Sequence, residues 1–129
     1  MELNDIPVTQ LMSSDLVTAS PDMPVDAAGD TLLDHGVGSL LVTDDAGELA
    51  GILTSTDFVA MVTADTAETT VEDLMTEPVV TVSTDDSIRD AAAKMIAENI
   101  QHLPVEDEDG VLGMLSATDL TAQLSYINA

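Results

Sequence analysis

The chain has 129 residues, 45% of them hydrophobic, with 25 acidic residues against two basic ones and a formal net charge of -23. Such a charge repels phosphate backbones and anionic lipid, so binding to nucleic acid or to a membrane surface is not expected. There is no cysteine, which excludes disulfides and thiol chemistry, and Phe58 and Tyr126 are the only aromatic residues, so the core must be built from Val, Leu, Ile, Met and Ala.

The opening Met-Glu-Leu-Asn-Asp lacks the basic start and apolar run of a signal peptide. No stretch approaches the roughly 18 apolar residues of a membrane span. The expectation is a soluble, cytoplasmic protein. The acids are spread along the whole chain rather than gathered in a tail. In dilute buffer they repel one another; at molar salt the Debye length falls to about 3 Å and screens them. This pattern predicts the salt-filled cytoplasm of a halophilic archaeon. The other reading is an acidic protein awaiting a basic partner.

From the N-terminus onward the chain says everything twice. Val8-Thr9-Gln10-Leu11-Met12 returns as Val71-Glu72-Asp73-Leu74-Met75, and Val17-Thr18-Ala19-Ser20 as Val80-Thr81-Val82-Ser83. Leu40-Leu41-Val42 returns as Leu103-Pro104-Val105. Gly51-Ile52-Leu53-Thr54-Ser55-Thr56-Asp57 returns as Gly113-Met114-Leu115-Ser116-Ala117-Thr118-Asp119. The spacing stays near about 63 residues, with one slip close to Glu48, where a turn absorbs an extra residue. The repeats are read as 6–64 and 71–127, joined by a polar linker at 65–70.

Each repeat predicts the same α/β unit. Val25, Ala28, Leu32 and Leu33 share one helical face, as do Ile88, Ala91, Ala92, Met95 and Ile96. Gly36 and Asn99 follow, both tolerant of the left-handed conformation that ends helices. At the helix start, Ser87 with Asp90 reads as a cap, whereas its counterpart Pro24 suits a first helical position. A short strand comes next, Leu40 to Thr43 or Leu103 to Val105. A turn rich in Asp and Gly then leads to a second strand ending at Thr54 or Ser116, where a last helix opens. At about 60 residues, one repeat is too small to bury a good core alone.

The motif Gly-apolar-apolar-Thr/Ser-x-x-Asp carries the most information. Thr54-x-x-Asp57 and Ser116-x-x-Asp119 are helix capping boxes. They also suit a ligand: free N–H groups at a helix start and a hydroxyl favour phosphate, and a carboxylate one turn in can accept from the vicinal hydroxyls of a ribose. Gly51 and Gly113 are expected to let a ligand approach the backbone. No zinc spacing of His and Cys occurs, and no Gly-x-Ser-x-Gly nucleophile motif. Counting back from Gly47 or Gly110 puts Val42 or Val105 at the first ligand position of a calcium loop, so the acidic turns read as solvated. No catalytic residue and no metal site is expected.

This order of Leu-Met, Val-x-Thr, amphipathic helix, Leu-Pro-Val and Gly-apolar-apolar-Ser/Thr-x-x-Asp resembles the cystathionine-β-synthase (CBS) domain. Two in tandem resemble a CBS pair, or Bateman module, over about residues 6–125. Asn99-Ile100-Gln101-His102-Leu103-Pro104-Val105 is the most typical stretch; Gly36-Val37-Gly38-Ser39-Leu40-Leu41-Val42 departs from it at Ser39 and Leu41. The resemblance implies β-α-β-β-α repeats packed with pseudo-twofold symmetry, non-catalytic, with two clefts for adenosine-containing ligands such as AMP, ADP, ATP, S-adenosylmethionine or methylthioadenosine. One cleft would join Thr54 and Asp57 to Thr81, Ile100, Gln101 and His102. The other would join Ser116 and Asp119 to Thr18, Val37, Gly38 and Ser39. Asp57 and Asp119 would hold ribose, Thr54 and Ser116 phosphate, and Thr18, Thr81, Val37 and Ile100 the adenine.

His102 reads either as a phosphate contact or as a surface histidine at a strand start. His35 reads as a helix-end cap. A charged ligand is expected to prefer the side of His102, with Arg89 and Lys94 on the helix nearby. The scarcity of positive charge argues for a ligand with few phosphates or none. A homodimer is expected, through apolar residues on the final helices: Phe58, Met61 and Val62 in one repeat, Leu120, Leu124 and Ile127 in the other. The alternative function is an interaction scaffold with empty clefts, serving an unknown regulated protein.

Overall fold

The computed structural model describes residues 5–61 and 68–128, the side chains as far as Gln123. The first repeat runs α1 (Val8–Leu11), β1 (Thr18–Ala19), α2 (Val25–His35), β2 (Ser39–Thr43), β3 (Leu49–Thr54) and α3 (Ser55–Ala60). The second runs α4 (Val71–Leu74), β4 (Val82–Ser83), α5 (Ile88–Glu98), β5 (His102–Asp107), β6 (Gly110–Ser116) and α6 (Ala117–Asn128). The mixed α/β repeat expected from the sequence is therefore present twice. Each copy holds a three-stranded sheet, β1-β2-β3 or β4-β5-β6, with a parallel first pair and an antiparallel second.

Local chemistry sets the boundaries. Gly36 and Asn99 end α2 and α5 in the left-handed conformation, at φ 63 and 53. Ser87 caps α5: its amide donates to the Asp90 carboxylate at 3.0 Å, and the Asp90 amide to its hydroxyl at 3.4 Å. Pro24 sits one step earlier than its sequence suggests, as the extended residue preceding α2. At the β2–β3 turn Asp44 Oδ1 accepts from the amides of Ala46 and Glu48, and Gly47 supplies φ 80. Asp107 does the same for Asp109 before Gly110. These turn acids bind their own backbone.

The chain divides into two compact units that cut across the repeats. A central unit is Val17–Val79; a split unit unites the residues through Leu16 with those from Val80 onward. Each unit takes the body of one repeat and the leader segment of the other. Val8, from the first repeat, lies wholly buried with Val82, Ala91, Leu103, Val105 and Leu115 of the second. Val71, from the second repeat, lies wholly buried with Ala28, Leu40, Val42 and Leu53 of the first.

The backbone fastens both exchanges in the same way. In the split unit the Ile88 amide donates to Ile6, and Ser13 and Met114 exchange both hydrogen bonds at 2.9 and 2.8 Å. In the central unit the Val25 amide donates to Thr69, and Thr76 and Ile52 exchange theirs at 2.9 and 3.1 Å. The exchange answers the size problem: a repeat too short for its own core borrows an apolar residue and an extra backbone pairing from its twin.

Candidate functional site

The hydroxyl–carboxylate pair stands at the strand-to-helix junction of both units. In the central unit Asp57 Oδ2 accepts from the Thr54 amide at 2.8 Å and from its hydroxyl at 3.2 Å. In the split unit Asp119 Oδ2 accepts from the Ser116 amide at 2.9 Å, and the Asp119 amide donates to the Ser116 hydroxyl at 3.1 Å. Both carboxylates thus hold the helix start through one oxygen, and Oδ1 of each carries no hydrogen bond among the described residues. Capping and ligand binding are compatible. The helix-start amides are less open than expected, because Ser55 N–H donates to the Gly38 carbonyl at 3.1 Å and Ala117 N–H to that of Gln101 at 2.8 Å.

The strands bring further expected residues to these junctions, each from the same repeat. Ser39 is the antiparallel partner of Thr54 and is buried. Gly38 precedes it, and half-buried Val37 packs on the core. His102 is the partner of Ser116, Gln101 precedes it, and Ile100 packs on the core. Within its own unit His102 stands beside Ser116 and feels the charge of Asp119. Burial pushes its pKa below the usual histidine value, and the negative charge of Asp119 offsets this only in part. Its surroundings thus disfavour the charged imidazolium.

Thr18 and Thr81 differ. Thr18 lies in β1 opposite Leu41, exposed, and its hydroxyl has no partner among the described residues. Thr81 is half-buried. Its hydroxyl donates to Glu106 Oε1 at 2.8 Å, and its carbonyl accepts from Lys94 Nζ at 2.7 Å. Lys94, expected to aid a charged ligand, is thus engaged internally. Glu106 is absent from the expected site residues, although the repeat comparison contains its signal: it replaces Thr43, just as Lys94 replaces Thr31. Beside it lies an open depression of about 500 Å³, whose lining includes Asp85, Glu106, Asp107, Glu108 and Asp109.

Two sequence expectations need correction. The open sides of Gly51 and Gly113 do not receive a ligand: a Cβ at either position would stand 2.5 Å from the sulfur of Met75 or Met12 respectively. These glycines admit the methionine of the exchanged leader. The apolar surface expected at the final helices is only partly accessible: Val59 of α3 is exposed, whereas Met61, just beyond α3, is not. Phe58 packs against Gly29, while Val62 and the side chains of Leu124 and Ile127 lie outside the described residues. Among the described residues the exposed large apolar side chains are Leu33 at 82%, Ile96 at 83%, Val59 and Leu112. His35 Nδ1 donates to the Thr31 carbonyl at 3.0 Å, as a residue closing its helix does.

Comparison with known proteins locates this architecture. The family profile of the CBS domain matches residues 8–63 and 71–126. The chain is 32% identical over 123 residues to a homoserine O-acetyltransferase of Methanosalsum zhilinae, covering 95% of this chain but 25% of that enzyme. It is 29% identical to the CBS domain-containing protein YhcV of Bacillus subtilis, covering 88% of this chain and 81% of that one. Among solved structures, the CBS domain pair of protein MJ0100, in complex with 5′-methylthioadenosine and S-adenosyl-L-methionine, superposes with a TM-score of 0.87 at 28% identity, over 95% of this chain and 98% of that one.

Proposed function

We propose that this chain, which belongs to the CBS-domain family as a tandem pair, is a non-catalytic regulatory module that senses an adenosine-containing ligand. One observation carries the reading: both repeats keep a hydroxyl and a carboxylate at the strand-to-helix junction, and each carboxylate retains an oxygen able to accept from a ribose hydroxyl. The bound ligands of the MJ0100 pair support it. The electrostatics select among adenosine compounds. Lys94 is bonded internally, burial disfavours the charged form of His102, and the net charge is -23. A polyphosphate is therefore disfavoured, and methylthioadenosine or S-adenosylmethionine is favoured over AMP, with ATP last.

The test is a thermal-shift series at molar KCl. Methylthioadenosine or S-adenosylmethionine at about 100 times its dissociation constant should add about 2.7 kcal/mol of stability. The double variant Asp57→Asn/Asp119→Asn, whose unliganded melting point is measured alongside, should bind at least about tenfold more weakly, since each charge-assisted hydrogen bond is worth about 1.5–3 kcal/mol. Unchanged affinity in that variant would remove the ribose assignment. The scaffold reading rests on a different observation. Leu33 and Ile96, at equivalent positions in the last turns of α2 and α5, are almost fully exposed, and such residues suit association with a second copy. Light scattering at high salt should give a homodimer; a monomer at micromolar concentration would contradict it.

A further inference from the structure

We propose that this module recognises the base of its ligand through Thr18 and not through Thr81, and so takes one adenosine ligand per chain. The inference rests on the ligand-sensing reading above and adds which repeat does the work.

Thr18 and Thr81 are equivalent in sequence, yet three differences between the repeats all surround Thr81. They are Thr31 against Lys94, Leu41 against Pro104 and Thr43 against Glu106. Leu41 has a backbone amide, which donates to the Val17 carbonyl at 3.0 Å and holds Thr18 in β1. Pro104 has no amide, so the corresponding bond to Val80 cannot form. Pairing in the split unit begins one residue later, at Val82 opposite Val105.

Thr81, outside the ladder, has its carbonyl taken by the Lys94 ammonium and its hydroxyl by the Glu106 carboxylate. A base needing both an acceptor and a hydroxyl there would have to displace two charge-assisted hydrogen bonds. In the central unit Thr31 reaches no further than the Ala27 carbonyl of its own helix. Thr43 makes no bond to Thr18. β1 is an edge strand, whose outward N–H and C=O groups have no sheet partner. The Thr18 hydroxyl and the adjacent strand edge are thus open to the ring nitrogens and exocyclic amine of an adenine.

Calorimetric titration of the full chain with 5′-methylthioadenosine at molar KCl tests this. The expected result is one equivalent bound per chain. Thr18→Val should weaken binding about tenfold and Thr18→Ser should restore it, whereas Thr81→Val should change it by less than about twofold. Two equivalent sites in the wild type, or a Thr81→Val loss as large as that of Thr18→Val, would overturn the proposal. The triple variant Lys94→Thr/Pro104→Leu/Glu106→Thr, which rebuilds the central unit's surroundings around Thr81, should bind a second equivalent. If it still binds one, these residues do not close the Thr81 side. If none of methylthioadenosine, S-adenosylmethionine, AMP and ATP binds the wild type, the ligand-sensing reading fails, and this inference with it.

Discussion

Gly113→Ala is expected to destabilise the protein by about 3 kcal/mol and Gly51→Ala by about 1 kcal/mol, the range found for overpacking a closed site. In both units the new methyl group would meet the exchanged methionine, its Cβ 2.5 Å from the sulfur. At Gly51 the other contacts, at 2.8 and 3.2 Å, are further atoms of Met75, and that flexible side chain can turn aside. At Gly113 the methyl group also meets the Ser13 carbonyl oxygen at 2.9 Å. That oxygen accepts from the Met114 amide at 2.8 Å, so it cannot withdraw without breaking the bond that fastens the leader. Thermal melts at molar KCl should show Gly113→Ala lowered by about 10 °C and Gly51→Ala by only a few degrees. Adding Met75→Ala should relieve the Gly51→Ala clash, while Met12→Ala should leave much of the Gly113→Ala loss in place. Equal losses at the two glycines would mean that the Ser13 carbonyl is not the rigid partner described.

Salt should have an effect of similar size on the unmodified chain. Two carboxylates 10 Å apart repel by about 0.4 kcal/mol in water, and ten such pairs sum to about 4 kcal/mol. With 25 acids and two bases, few of these pairs are offset. The Debye length falls from about 10 Å at 0.1 M salt to about 3 Å at 1 M, which removes most of that repulsion. Some repulsion persists in the unfolded chain, so a net gain of roughly 3 kcal/mol, or about 10 °C, is expected between 0.1 and 1 M KCl. KCl and tetramethylammonium chloride should act alike if screening is the cause. A melting temperature that is flat or falling over this range would remove adaptation to a salt-rich cytoplasm as the reason for the charge.

Several of those acids also have local work that salt does not alter. Asp57, Asp73, Asp90 and Asp119 accept the amide three residues before them, and Asp44, Asp86 and Asp107 accept amides in turns. Such features are legible in the sequence because they join residues two to four apart. The same holds for the left-handed helix ends at Gly36 and Asn99, for the doubled α/β plan, and for the helical faces of Val25 and Ile88 except at Leu33 and Ile96, which the sequence placed on those faces and the structure leaves exposed. Periodicity and capping are short-range, so a single copy of the pattern suffices to read them.

What the sequence could not decide is which sheet each leader joins. Val8 and Val71 occupy the same place in two similar repeats, so either sheet would satisfy the apolar pattern. Only the tertiary structure assigns Val8 to Leu103 and Leu115, and Val71 to Leu40 and Leu53. From that assignment follows the meaning of the glycines, whose open sides admit Met12 and Met75 across some 24 to 101 residues of chain. The inequality of Thr18 and Thr81 is of the same kind. It depends on Lys94 and Glu106, 13 and 25 residues from Thr81, converging through the curl of a helix and the register of a strand. Sequence spacing fixes neither convergence, because each depends on where the folded backbone places a long, flexible side chain.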